Sequence, residues 1–228
     1  MNINYKVTRS KKRRKTISLQ IRGESEILVS APYFTPVEEI NRFVEEKQNW
    51  INKIIQKQKE DAVKNKAKEY KAGEYFLYLG QSYPLEVFFE PFENAGIVFW
   101  NNRFYLNARE DIDLKKYYFI SWYKKKANEY INQRIVFLNR MLKLRHENIR
   151  ITSAKSRWGS CSEDNNLAFS FRLIMAPPDI IDYVIVHELM HIKEKNHSPK
   201  FWQRVEAVMP EYKKHRRWLK DNHHKFIL

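Results

Sequence analysis

The chain is poor in the residues that let a backbone or a redox state vary. It holds one cysteine, Cys161, in 228 residues, so no intrachain disulfide can form, and the expectation is a reducing, cytoplasmic setting. There is no Cys-x-x-Cys pair, which argues against the sulfur-ligated structural zinc modules. Five glycines leave little room for long flexible loops. The longest apolar runs, such as Tyr183–Val186, fall far short of the ~20 residues that span a bilayer. Residues Met1 to Lys6 lack the apolar core and small-residue cleavage site of a secretory signal. Acids are scarce beside bases: 27 Asp and Glu against 42 Lys and Arg, a formal net charge of +15. That imbalance points to polyanionic partners, nucleic acid or nucleotides among them; its plainer reading is a basic soluble surface.

What is present suits a folded globule of one or two domains, with hydrophobic residues at 43% and aromatics at 14%. Tyr5–Val7 and Thr16–Ile21 read as strands, separated by the basic run Arg9 to Lys15, which suits either phosphate binding or a charged hairpin tip. A turn over Gly23 to Glu26 leads to a strand over Ile27–Ser30. A helix opens near Thr35-Pro36, carries Ile40, Val44, Trp50 and Ile51 as packing residues, and frays in the charged stretch Lys57–Lys71. Short strands come next over Tyr75–Leu79, Tyr83–Glu90, Gly96–Trp100 and Phe104–Asn107, with their aromatics read as core. Hairpin turns are expected at Gly80-Gln81-Ser82 and Trp100-Asn101-Asn102. Asp113 opens a long helix. Asn148–Lys155 and Leu167–Ser170 are strands that can pair, and the first of them, around Ile151–Ala154, could align an extended substrate.

The chemistry concentrates at His187-Glu188-Leu189-Met190-His191, on a helix capped by Asp179. Residues i and i+4 share a helix face, so His187 and His191 can bring two imidazole nitrogens to one metal. Glu188 then lies beside the open metal position, where it can take a proton from water. His197 is a natural third ligand, ten residues after His187, the interval used by the metzincin proteases. Those proteases leave the helix at a glycine where this chain has Glu194, so the turn is expected at Asn196 in a left-handed conformation. Glu206 or Glu211 is the competing third ligand. Ser198 and Pro199 form a helix start immediately after His197. Arg157, in the compact stretch Ser156–Ser162, can bind a substrate carboxylate or phosphate. His215 can reach the cleft and stabilise an oxyanion. His146, His223 and His224 read as surface residues, and Cys161 as a small packed one.

Three segments carry a resemblance: Lys155-Ser156-Arg157-Trp158-Gly159-Ser160-Cys161-Ser162, then Pro178 through Ile181 to His191, then Asn196-His197-Ser198-Pro199-Lys200-Phe201-Trp202. Together they resemble the YgjP-like metallopeptidase family, related to the SprT and WLM zinc-protease-like domains. The resemblance implies a zincin-like domain with His187, His191 and His197 as zinc ligands and Glu188 as catalytic acid and base. Members of the family have also been linked to nucleotide pyrophosphohydrolysis. The expected fold is α+β: a β-rich region over residues 1–110 with one crossing helix, and a zincin-like hydrolase domain over 111–228. The leading expectation is a zinc-dependent metallopeptidase. The alternatives are a metal-dependent nucleotide pyrophosphohydrolase and a nucleic-acid-binding protein with a structural zinc.

Overall fold

The computed structural model describes residues 4–22, 26–64, 67–90 and 94–228, with side chains described for all of these except 22 and 57–64. The chain forms two compact units, Met1–Lys66 and Ala67–Leu228, in a mixed α+β architecture. Residues 23–25 of the turn expected over Gly23 to Glu26 lie outside the described residues.

The first unit contains strands β1 (Lys6–Ser10), β2 (Ser18–Arg22) and β3 (Glu26–Pro32), then helices α1 (Val37–Glu46) and α2 (Gln48–Lys64). β3 is central, parallel to β1 and antiparallel to β2. Its alternating Ile27, Val29 and Ala31 face Ile40, Val44 and Ile51 of the helices, a period of two meeting a period near 3.6. The helix does not fray at Lys57: after a break at Lys47 it continues to Lys64. Trp50, expected to pack, is 46% exposed, because Ile51 takes the inward position beside it.

The second unit opens with β4 (Tyr75–Tyr78), β5 (Gln81–Phe88), β6 (Gly96–Trp100) and β7 (Arg103–Asn107), in the order β4-β5-β7-β6. These strands, expected to belong to the N-terminal half, share one core with the C-terminal helices. Phe76, Leu85, Phe104 and Leu106 pack with Phe119, Trp122 and Tyr123 of α3 (Ile112–Leu142). Helix α3 is capped by Asp111, not Asp113, through bonds from the N–H groups of Asp113 and Leu114. Of the aromatics read as core, Phe76 is buried while Phe88 and Phe89 lie exposed.

Next come β8 (Ile149–Thr152), β9 (Gly159–Cys161) and β10 (Leu167–Ser170), a sheet in the order β8-β10-β9. The expected pairing of β8 with β10 is present and parallel, and β9 adds an antiparallel edge within the stretch read as a connection. A 3-10 turn over Phe171–Met175 leads to α4 (Pro178–Met190), then α5 (Pro199–Val208) and α6 (Tyr212–Asn222). Two contacts fix α4. Its Asp182 accepts two bonds from Arg134 of α3, at 2.8 and 2.6 Å, the paired geometry that guanidinium and carboxylate favour. The β4–β5 turn, Leu79-Gly80, abuts Pro177 at the helix start; a Cβ on Gly80 would lie 2.8 Å from the Pro177 ring. Gly80 also has φ +82°, so both the turn and the close approach require glycine. Among the described residues no helix is long and apolar enough to cross a membrane.

Candidate metal centre

Helix α4 is mostly apolar, and most of its residues are buried, Glu188 among them. Its N-cap is Pro177, with Pro178 at the first helical position. Asp179, expected to cap, instead sits in the first turn and makes no side-chain capping bond. The helix ends at Met190, so His187 lies in its last turn and His191 just beyond, still with αR backbone. That keeps the two imidazoles one turn apart on one face.

The chain then turns without a left-handed residue at Asn196, contrary to expectation. Ile192, Lys193 and Glu194 donate N–H bonds back to Leu189 and Met190, tightening the helix end. Asn196 acts through its side chain: Oδ1 accepts the Ser198 N–H at 3.1 Å. Ser198 caps α5 by accepting the Phe201 N–H, with Pro199 at the first helical position as expected. Glu194, standing where metzincins have glycine, holds this loop. Its carbonyl meets His191 Nδ1 at 3.0 Å, and its carboxylate pairs with Lys200 at 3.1 Å and Arg204 at 3.2 Å.

This route brings His197 back to the helix. One nitrogen from each of His187, His191 and His197 lies within 4.8 Å of the others. The competing acids are elsewhere: Glu206 pairs with Lys213 and Glu211 with Lys214. Phe201, fully buried on α5, backs all three rings, with centroids 4.9, 4.5 and 4.9 Å from those of His187, His191 and His197. Trp202 stacks on His197 at 5.5 Å, and the Arg216 guanidinium lies 4.8 Å over Trp202.

The donor set fits a metal cation. Burial pushes the His187 imidazole down to about 3, aided by His191, His197 and Arg216, and it lowers His191 and His197 too. All three are thus neutral near pH 7, the form in which an imidazole can ligate a metal. The bond from His191 Nδ1 to the Glu194 carbonyl leaves its Nε2 free to ligate. Nε2 of His187 and Nε2 of His197 face each other at 2.9 Å. Ligand atoms of a tetrahedral zinc centre stand about 3.4 Å apart, so this pair must open by only a few tenths of an ångström.

Glu188 is only 5% exposed yet faces a cavity of about 800 Å³, and its carboxylate has no hydrogen-bond partner among the described residues. Burial pushes its carboxyl up to about 8, while Arg157 pulls it down. A cation at the three imidazoles would act in the same direction as Arg157. Gly159 of β9 makes room for it: a Cβ there would lie 2.6 Å from Glu188 Oε1.

The cavity also contains residues that the sequence did not single out. Tyr183, one turn before His187, contributes a hydroxyl that makes no hydrogen bond among the described residues, and burial pushes it up to about 12. Lys155, Arg172, Arg216 and Lys220 join Arg157 in the lining, and none makes an ion pair among the described residues. His215 does not line the cavity; its Nε2 lies 3.4 Å from Asp179, and the neighbouring Arg216 faces the site instead. His223 is exposed, as expected of a surface residue, and His224 is half-buried; both also stand on the cavity wall, which the end of α6 and the turn beyond it help to form. Cys161 packs against the core, and its thiol is pushed up by burial, as suits a packed residue and not a nucleophile.

A sequence model of the YgjP-like metallopeptidase domain matches residues 15–222. No curated protein matches the sequence. Among solved structures the chain is similar to the metallopeptidase zymogen of abylysin from Pyrococcus abyssi, at 22% identity, over 40% of this chain and 93% of that one, with a TM-score of 0.37. It is similar to the metallopeptidase zymogen of jannalysin from Methanocaldococcus jannaschii at 22% identity, over 40% and 94%, with a TM-score of 0.36. The family match runs through β9, the three histidines and α6, and on that ground the chain belongs to the YgjP-like metallopeptidase family, which implies a metal ion.

Proposed function

We propose that the chain is a zinc-dependent peptide hydrolase in which His187, His191 and His197 hold the ion and Glu188 moves the proton. The observation that carries this reading is a cluster of three neutral imidazoles, one of which, His187, lines the same cavity as the unpartnered, buried carboxylate of Glu188. Zinc takes nitrogen ligands and, with three from the protein, keeps a fourth position open. When bound it would acidify water and polarise the scissile carbonyl. Glu188 accepts a proton from the attacking water and returns it to the leaving amine. Its poorly solvated carboxylate is basic enough for the first transfer and, once protonated, acidic enough for the second. Tyr183 keeps its proton at neutral pH and can donate to the oxygen that gains negative charge. Gly159 of the edge strand β9 lines the cavity, whereas no residue of β8 does, so β9 is the strand that can align an extended peptide through backbone bonds.

A second reading, hydrolysis of a nucleotide phosphoanhydride, is favoured by one specific observation. Five Lys or Arg side chains line the cavity without carboxylate partners among the described residues, and such groups suit phosphate oxygens. A parallel screen of peptides and nucleoside triphosphates, on metal-analysed wild-type and Glu188→Gln protein, separates the two. The expected result is peptide cleavage that falls by at least about 100-fold in Glu188→Gln with zinc content unchanged. Pyrophosphate release without peptide cleavage would select the second reading. Full turnover in Glu188→Gln would overturn both.

A further inference from the structure

The N-terminal unit carries a cavity of its own, of about 780 Å³, that the hydrolytic reading leaves unused. Its lining includes Lys11, Arg13, Arg14, Lys15, Tyr33 and Phe34, with Glu39 as its one acid. Topology brings the basic and aromatic parts together. Because β1 and β3 run parallel, with Ser10 opposite Pro32, the segments that leave them emerge at the same end of the sheet. One is the run Lys11 to Lys15; the other is Tyr33-Phe34.

The arrangement is held in place. Arg9 Nη1 donates to the carbonyls of Tyr33 at 2.8 Å and Thr35 at 2.7 Å, clamping the aromatic turn to the end of β1. Lys11 Nζ lies 5.4 Å over the Tyr33 ring. Tyr33 and Phe34 meet edge to face, 5.2 Å apart at 85°. Phe34 is 91% exposed and Tyr33 47%, so neither ring is there to fill the core. Lys12, Arg14 and Lys15 make no ion pair among the described residues, and Arg13 bonds only to Thr16. Uncompensated cations beside solvent-facing aromatic rings form the combination that binds a nucleic-acid strand whose bases are open to stacking.

We propose that this face binds single-stranded nucleic acid, with the cations between Lys11 and Lys15 along the phosphates and Phe34 and Tyr33 stacked on bases. A duplex offers the same phosphates but keeps its base faces inside the stack, so the exposed rings select the single strand. The inference is independent of the reaction at the metal centre.

The test is a fluorescence-anisotropy titration of the full chain with a labelled oligothymidylate of about 15 nucleotides, repeated across salt concentrations. Binding should weaken with salt, with a log–log slope of about −2 to −4 for three to five phosphates. Phe34→Ala and Tyr33→Ala should each weaken binding about tenfold and leave the slope unchanged. Arg14→Ala with Lys15→Ala should flatten the slope by about 1 to 2. Phe34→Trp, which keeps a stacking ring at an exposed position, should bind at least as well as wild type. Any of four results would overturn the proposal: no binding at low salt, indifference to Phe34→Ala, a duplex bound as tightly as the strand, or failure of Phe34→Trp to bind. Preferential binding to phosphatidylserine vesicles would overturn it too, by assigning the face to an anionic membrane.

Discussion

Glu188 owes its position to a residue that has no side chain. The carboxylate lies against the backbone of β9 at Gly159, where a Cβ would be 2.6 Å from both Cγ and Oε1. A methyl group there cannot share that space, and the nearest movable atoms are those of Glu188 itself. Gly159→Ala should therefore displace the carboxylate by about an ångström, which is enough to lower turnover roughly 100-fold. The metal content should stay at the wild-type level, because the three atoms nearest that Cβ all belong to Glu188 and none to an imidazole. Steady-state kinetics on a cleaved peptide, alongside metal analysis, tests this; near-wild-type kcat would show that the carboxylate has slack. The sequence identified Glu188 through its spacing from two histidines, since helix periodicity is local. It marked Trp158-Gly159-Ser160 only as unusual, because a contact between a strand and a helix has no periodic signature. Tyr183 and Arg216 were missed for the same reason: one reads as part of an apolar stripe and the other as one surface cation among many.

At the scale of elements, the loop from His191 to Ser198 decides whether three imidazoles converge. Its end was legible, since Ser198-Pro199 is a helix start in any context. Its path was not. The expectation of a left-handed Asn196 assumed that one residue must reverse the chain, as glycine does in metzincins. Here the turn is shared: backbone bonds tighten the helix end, the Asn196 side chain bonds to the Ser198 N–H, and Glu194 anchors the loop to Lys200 and Arg204 of α5. The Glu194 carboxylate is held below the usual range, first by Lys200 and then by Arg204, which identifies it as a charged anchor. Glu194→Ala should leave the secondary structure unchanged. It should loosen the carbonyl that orients His191, weakening zinc affinity by about tenfold in a competitive chelator titration. High salt should weaken wild-type affinity towards that of the variant, because the anchoring pairs are solvent-accessible. Equal affinities for the two proteins at low salt would show that the backbone bonds alone fix the loop.

At the scale of the whole molecule, the sequence supported an α+β fold but drew the division too late. Residue 110 separates strands from a long helix in composition, whereas the compact units divide after Lys66. The cause is that Phe76, Leu85 and Phe104 have their apolar partners on α3, and a core is defined by contacts that cross the chain, not by a change of pattern along it. Two cores with separate membership have a thermodynamic consequence. All three histidines belong to the second unit, so a metal ion that binds only the folded site stabilises that unit. At metal concentrations about 100 times Kd the stabilisation is about 2.7 kcal/mol, a shift of roughly 5–10 °C for a unit of this size. Differential scanning calorimetry should show the transition of the second unit moving down by that amount when a chelator is added. The transition of the first unit, whose core is Ile27, Val29, Ala31, Ile40, Val44 and Ile51, should stay in place. His187→Ala should melt like the chelated protein and show no further response to chelator. Identical melting of the chelated and metal-saturated wild type would mean that the three imidazoles do not hold an ion in the folded chain, and the hydrolytic reading would fall with them.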